Sequence, residues 1–181
     1  MTTSHRILVL NGPNLNLLGT RQPHLYGAET LADVEARCRA VAEETGARID
    51  FHQSNHEGVL IDLVQTARTD FDAVVINPGG YTHTSIALMD ALLAIDTPVV
   101  EVHVTNVHRR EEFRRHSYVS LAATAVFAGA GLDGYEFAIR HLVRLLAAAP
   151  RTSTPDAPRA ARPSAPASAA PGVASITRLA R

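Results

Sequence analysis

Residues 6–27 read RILVLNGPNLNLLGTRQPHLYG. Four consecutive apolar residues, Ile7 to Leu10, describe a strand buried on both faces. The run halts at Asn11-Gly12-Pro13-Asn14, a cluster of turn formers. The next periodic segment starts only near Thr30, a gap well beyond the roughly two to six residues usual in α/β connections. A connection this long marks a functional lid, and it carries Arg21 and Tyr26. Read on their own, these two are equally well a solvated cation and a half-buried anchor.

The pattern set by that first strand repeats along the chain. Thr30-Leu31-Ala32-Asp33 is a helix start, with threonine at the N-cap and an acid three residues on. Leu31, Val34, Cys38, Val41 and Ala42 then recur at helical spacing up to Gly46. Residues 47–53 alternate as a strand near a sheet edge, and a second helix is expected over about 57–69. Residues 73–77 form another apolar strand, cut by Pro78-Gly79-Gly80, and Tyr81 to Ser85 lead into a helix ending near Ile95. A strand over 98–104, a charged turn over 109–116, a strand over 123–128 and a closing helix from Tyr135 to about Ala148 complete the series. Alternating β and α elements with nearly all-apolar strands predict a parallel sheet covered by helices on both faces. With right-handed crossovers, the economical topology is a doubly wound, flavodoxin-like five-stranded sheet of order 2-1-3-4-5.

These elements fill residues 1–149, expected to be a single domain. Residues 150–181 are rich in Ala, Pro, Ser and Arg and are expected to form a disordered tail. The net charge of −1 hides an asymmetry, for that tail holds five arginines against Asp156 alone. Spaced arginines without interleaved aromatics do not describe a nucleic-acid surface. No apolar run reaches the roughly twenty residues of a membrane span. With Cys38 as the only cysteine and no signal-peptide pattern at the N-terminus, the expected location is the cytoplasm.

One absence excludes whole classes of chemistry. All 17 basic residues are arginine and none is lysine. Schiff-base catalysis on a lysine amine and a P-loop lysine are therefore ruled out. A phosphoacceptor receiver domain would also need a lysine, and an acidic pair where Asn11 stands. Residues 11–20 contain no G-x-G-x-x-G.

In doubly wound folds ligands bind beyond the carboxyl ends of the strands. Three strands deliver polar residues there: Asn11, Asn14, Arg21 and Tyr26 after the first, Asn77, Gly79 and His83 after the third, and Glu101 with His103 in the fourth. Glu101 and His103 are two apart on a strand and share a face, so the carboxylate can orient the imidazole and raise its pKa. That suits a general acid or a metal ligand; a satisfied strand-end histidine is the plain alternative. His83, His108 and His116 show no metal-ligand spacing with them. Arg21 near Tyr26 has its own logic, since a phenol becomes a base near neutrality only if a cation stabilises the phenolate. Arg110 and Arg114 add positive potential or bind an acid in bidentate fashion, whereas Arg115 reads as solvated.

NGPNLNLLGTRQPHLYG (11–27), QSNHEG (53–58), INPGGYTHTSIALMDAL (76–92) and EVHVTNVHRREEFRRHS (101–117) closely resemble type II 3-dehydroquinate dehydratases, in order, from about residue 6 to 147. The resemblance implies the reversible dehydration of 3-dehydroquinate to 3-dehydroshikimate through an enolate, a hydro-lyase step of the shikimate pathway that also serves quinate breakdown. It implies Tyr26 as the base, Arg21 and Arg110 as stabilisers of negative charge, and Asn14 as holder of the enolate through a water. His103 would be the general acid, oriented by Glu101. Asn77, His83 and Arg114 match positions that bind the ring hydroxyls, Val104 with Thr105 matches the carboxylate cradle, and Gly79 is a further substrate-binding position. Asp90 would reach a neighbouring subunit's site, since the family forms trimers that assemble into dodecamers. Thr105 departs from the commoner serine by one methyl group. No cofactor and no metal are called for. A non-catalytic flavodoxin-like binding module and a metal-dependent lyase stay open as alternatives.

Overall fold

The structure is a computed structural model that describes residues 4–20 and 28–148. Its elements are β1 (Arg6–Asn11), α1 (Leu31–Thr45), β2 (Arg48–Gln53), α2 (Glu57–Asp70), β3 (Ala73–Asn77), α3 (Ile86–Leu93), β4 (Val99–His103), β5 (Ala125–Ala128) and α4 (Asp133–Ala148). The strands form one parallel sheet in the order β2-β1-β3-β4-β5. This is the flavodoxin-like order expected from the sequence.

The three central strands, β1, β3 and β4, share their residues between two cores, while among the described residues β2 and β5 pack on the α1/α4 core alone. Ile7 and Val9 of β1 face Val34, Cys38 and Val41 of α1 and Tyr135, Ile139 and Leu142 of α4. Leu8 and Leu10 face Leu60 and Val64 of α2 and Leu88 and Leu92 of α3. The period of two inside an unbroken apolar run is what covers both faces of the sheet. Glu101 and His103 alternate with Val100 and Val102, which belong to the α1/α4 side, so the two polar residues point to the α2/α3 side.

Helix starts follow their caps. Thr30 and Asp33 form a reciprocal capping box, and Gly46 ends α1 in the left-handed conformation at φ 74°. Ser85 caps α3 by accepting from the Leu88 N–H at 2.8 Å. Among the described residues five short 3-10 turns also appear: Leu15–Leu17, Gly79–His83, Val107–Arg109, Glu112–Arg114 and Val119–Leu121. Sequence periodicity left most of these as loops because a single 3-10 turn is too short to show a period. Among the described residues no helix is long and apolar enough to cross a membrane.

Candidate active site

Two backbone turns form the floor of the site. Asn11 and Asn77 are register partners at the ends of β1 and β3. The chain then turns at Gly12-Pro13 and at Pro78-Gly79, and the Gly12 N–H donates to the Asn77 carbonyl at 2.8 Å. A Cβ on Gly12 would lie 2.3 Å from the Pro78 carbonyl oxygen, and one on Gly79, at φ +57°, would lie 2.9 Å from that of Pro13. Only glycine permits this approach.

A buried hydroxyl joins the same strand ends. Tyr135 Oη donates to Asn11 Oδ1 at 2.7 Å and accepts from Asn77 Nδ2 at 2.9 Å. Asn11 Nδ2 donates to the His52 carbonyl at 3.1 Å, and Asn77 Oδ1 accepts from the Gly79 N–H at 3.2 Å. Burial pushes the Tyr135 phenol far above its usual range, against the hydrogen bond from Asn77. It is a structural donor, not a titrating group.

Above this floor lies a cleft of about 290 Å³. Of the residues singled out from sequence, it gathers Asn14, Asn77, Gly79, His83, His103, Val104, Thr105, Arg110 and Arg114. Asn14 sits at φ 68°, left-handed backbone that asparagine tolerates better than most residues. Its N–H donates to Asn55 Oδ1 at 2.9 Å. Asp90 lies on the exposed side of α3 and does not line this cleft. Arg21 and Tyr26 lie outside the described residues. Pro13, Leu15, Leu17, Leu18 and Val107 complete one apolar wall, which the search for polar chemistry missed.

Glu101 stands behind His103, fully buried. His103 Nε2 is 2.8 Å from Glu101 Oε1. Burial pushes the carboxyl up, but the hydrogen bond and charge of His103, then the hydroxyls of Ser120 and Thr82, outweigh it and hold the group below its ordinary value. An ionised Glu101 only accepts, so Nε2 carries the proton, and Nδ1 is the ring nitrogen left for a ligand.

The positive wall is built differently. Arg110 donates to the Thr105 hydroxyl, while Arg114 pairs with Glu111 at 3.3 Å and lies over the Phe113 ring at 5.1 Å. His83 Nδ1 is 2.7 Å from the His116 carbonyl. Burial and the charges of His103, Arg110 and Arg114 hold His83 below its usual value despite that bond, so it stays neutral near pH 7. Arg115 is exposed and donates to the Arg110 carbonyl at 2.9 Å. No group of three or more His, Cys, Asp or Glu converges as metal ligands would among the described residues.

The neutral amide of Asn77, the charged Arg110 and Arg114 and a carboxylate-backed imidazole thus line one small cleft. A model of the family described as Dehydroquinase class II matches residues 5–143. The chain belongs to the class II dehydroquinases.

Relatives within the dehydroquinases extend the match over nearly their full length. The 3-dehydroquinate dehydratase of Methylobacterium radiotolerans is 60% identical over 144 residues, covering 80% of this chain and 97% of the relative. The catabolic 3-dehydroquinase of Aspergillus oryzae is 55% identical over 136 residues, covering 75% and 89%. The crystal structure of the type II dehydroquinase from Propionibacterium acnes superposes with a TM-score of 0.76 at 42% identity, covering 80% of this chain and 99% of that one.

Proposed function

We propose that the chain is a hydro-lyase that reversibly dehydrates 3-dehydroquinate to 3-dehydroshikimate through an enolate, without cofactor or metal. The observation that carries this reading is the cleft itself, where His103, backed by the buried Glu101, meets Asn77, His83, Thr105 and Arg114 in a chain 60% identical to a 3-dehydroquinate dehydratase.

The substrate is a β-hydroxyketone whose α-proton is only weakly acidic. Tyr26, as phenolate, takes that proton, and Arg21 with Arg110 stabilises the phenolate and the growing enolate charge. Asn14 holds the enolate oxygen through a water. The enolate electrons then form the new C=C bond as the C–O bond breaks, and His103 Nδ1–H protonates the departing hydroxyl to give water. Tyr26 ends as a phenol and His103 as neutral imidazole, and exchange with solvent resets both.

Binding divides between the walls. Asn77 spends one Nδ2 hydrogen on Tyr135 and keeps the second for a ring hydroxyl. His83 and Arg114 take the other hydroxyls. The backbone at Val104-Thr105 and the Thr105 hydroxyl cradle the carboxylate, and Gly79 lines the same cleft. Asp90, on an exposed helix face, serves a neighbouring subunit's cleft in a trimer-based dodecamer. Residues 1–149 form the catalytic domain of a cytoplasmic enzyme, whose reaction serves aromatic biosynthesis or quinate breakdown.

Initial rates of enone absorbance from 3-dehydroquinate test the roles. Tyr26→Phe and His103→Asn are each expected to lower kcat by at least a hundredfold. Full activity in either variant would remove that residue from the reaction.

A further inference from the structure

Glu101 is wholly buried, yet both of its oxygens are occupied. Thr82 Oγ1 at 2.5 Å, Ser117 Oγ at 2.8 Å and His103 Nε2 at 2.8 Å reach Oε1, and the Ser120 hydroxyl donates to Oε2. The three hydroxyls come from two segments that also hold each other. The Tyr118 N–H donates to the Thr82 carbonyl at 2.9 Å, and the Ser120 N–H donates to Ser117 Oγ at 2.9 Å. None of these hydroxyls lines the cleft. Thr82 Oγ1 and Ser117 Oγ also lie 2.8 Å apart, and all three hydroxyls reach the carboxylate.

When the Glu101–His103 pair carries two protons, it has two arrangements. One is a carboxylate with an imidazolium; the other is a carboxylic acid donating to a neutral imidazole. Burial favours the neutral arrangement, because each isolated charge is costly away from water. The cationic Arg110 and Arg114, which line the same cleft as the imidazole, also oppose an imidazolium, whereas the neighbouring His83 is neutral near pH 7. Hydroxyls donating to the carboxylate act the other way, since they favour its charged form. They do so at every pH at which the enzyme works, for none of them titrates.

We propose that Thr82, Ser117 and Ser120 are positioning residues that keep the doubly protonated pair ionic, so that the proton on His103 Nδ1 is an imidazolium proton. In the neutral arrangement the same nitrogen would carry the proton of a neutral imidazole, far too weak an acid to assist a leaving hydroxyl. This inference rests on the reading of His103 as the general acid.

Two measurements on the full chain test it: kcat and KM with 3-dehydroquinate, and ¹⁵N spectra of the His103 ring in the unliganded protein against pH. Thr82→Val and Ser120→Ala should each lower kcat about tenfold, as expected for losing a hydrogen bond to a charged group, with KM within about twofold. The ring nitrogens of the protonated pair should move from imidazolium towards neutral imidazole. Thr82→Ser, which keeps the hydroxyl, should recover both. Folded Thr82→Val and Ser120→Ala proteins with unchanged kcat and unchanged spectra would overturn the proposal, as would a Thr82→Ser protein as impaired as Thr82→Val. A wild-type chain that leaves 3-dehydroquinate untouched would overturn the reaction instead, while the nitrogen spectra would still decide the role of the hydroxyls.

Discussion

His103 Nε2 lies 2.8 Å from Glu101 Oε1, two residues back on the same strand and fully buried. The alternation of a strand makes this pairing possible, and against the upward push of burial His103 itself, then the Ser120 and Thr82 hydroxyls, hold the Glu101 carboxyl below its ordinary value. Glu101→Gln keeps the shape and removes the charge. It is expected to lower kcat roughly tenfold to a hundredfold with a small change in KM. Steady-state kinetics beside a thermal melt checks this, and a loss confined to KM would contradict it.

Tyr135 links the ends of β1 and β3 through one hydroxyl. Tyr135→Phe leaves Asn11 Oδ1 and one Asn77 hydrogen without that partner inside the core. The expected cost is about 1–3 kcal/mol of stability, read by urea unfolding. Loosening of Asn77 should raise KM more than it lowers kcat. A variant as stable as wild type would show that the hydroxyl is dispensable.

Gly12 and Gly58 separate close approach from mere flexibility. Gly12→Ala drives a methyl group into the Pro78 carbonyl at 2.3 Å, whereas Gly58 near the start of α2 has open space around it. Gly12→Ala should be strongly destabilised or fail to fold. Gly58→Ala should be neutral or gain up to about 1 kcal/mol, since alanine suits a helix better. Paired unfolding curves distinguish the two.

Glu101 and Tyr135 both shape the pH dependence of stability, and the buried Cys38 thiol, pushed up to about 12 by burial, adds its own loss above about pH 9. The Glu101 carboxyl is held below its ordinary 4.5, so the stability it contributes is complete above about pH 4.5 and is lost as pH falls through the folded value. The Tyr135 phenol is pushed above its ordinary 10; the unfolded chain ionises first, and stability falls as pH rises past about 10. Urea midpoints across that range should form a dome. Tyr135→Phe should flatten its alkaline side, and an unchanged alkaline fall would assign that loss elsewhere.

Much of this was legible from residues alone. Ile7 to Leu10 and Ala73 to Asn77 gave away a parallel sheet because buried strands need unbroken apolar runs. Glu101 and His103 revealed a shared face because a strand has a period of two. The hydroxyl ring and Tyr135 were hidden for a physical reason. Thr82, Ser117 and Ser120 look like turn formers in turn-rich stretches, and their partner lies 16 to 19 residues away in the chain. Tyr135 looks like one more apolar residue of a closing helix, yet its hydroxyl meets Asn77 across 58 residues. Long-range polar pairs leave no periodic trace. Arg21 and Tyr26, prominent in the sequence, lie outside the described residues.

Truncation after residue 149 tests the division of the chain. The family match ends at residue 143, so a chain of residues 1–149 should keep the specific activity of the full protein. A large drop would make residues 150–181 part of the enzyme.

The most direct test of the central claim is the initial rate of enone absorbance from 3-dehydroquinate with the full wild-type chain, run with and without chelator, and run again with enzyme that has been treated with borohydride in the presence of substrate and then desalted. An enolate mechanism in a chain without lysine predicts robust turnover that neither reagent changes. Loss of the rate to chelator would point to a metal-dependent lyase, and no turnover from a well-folded protein would leave a binding module in place of the enzyme.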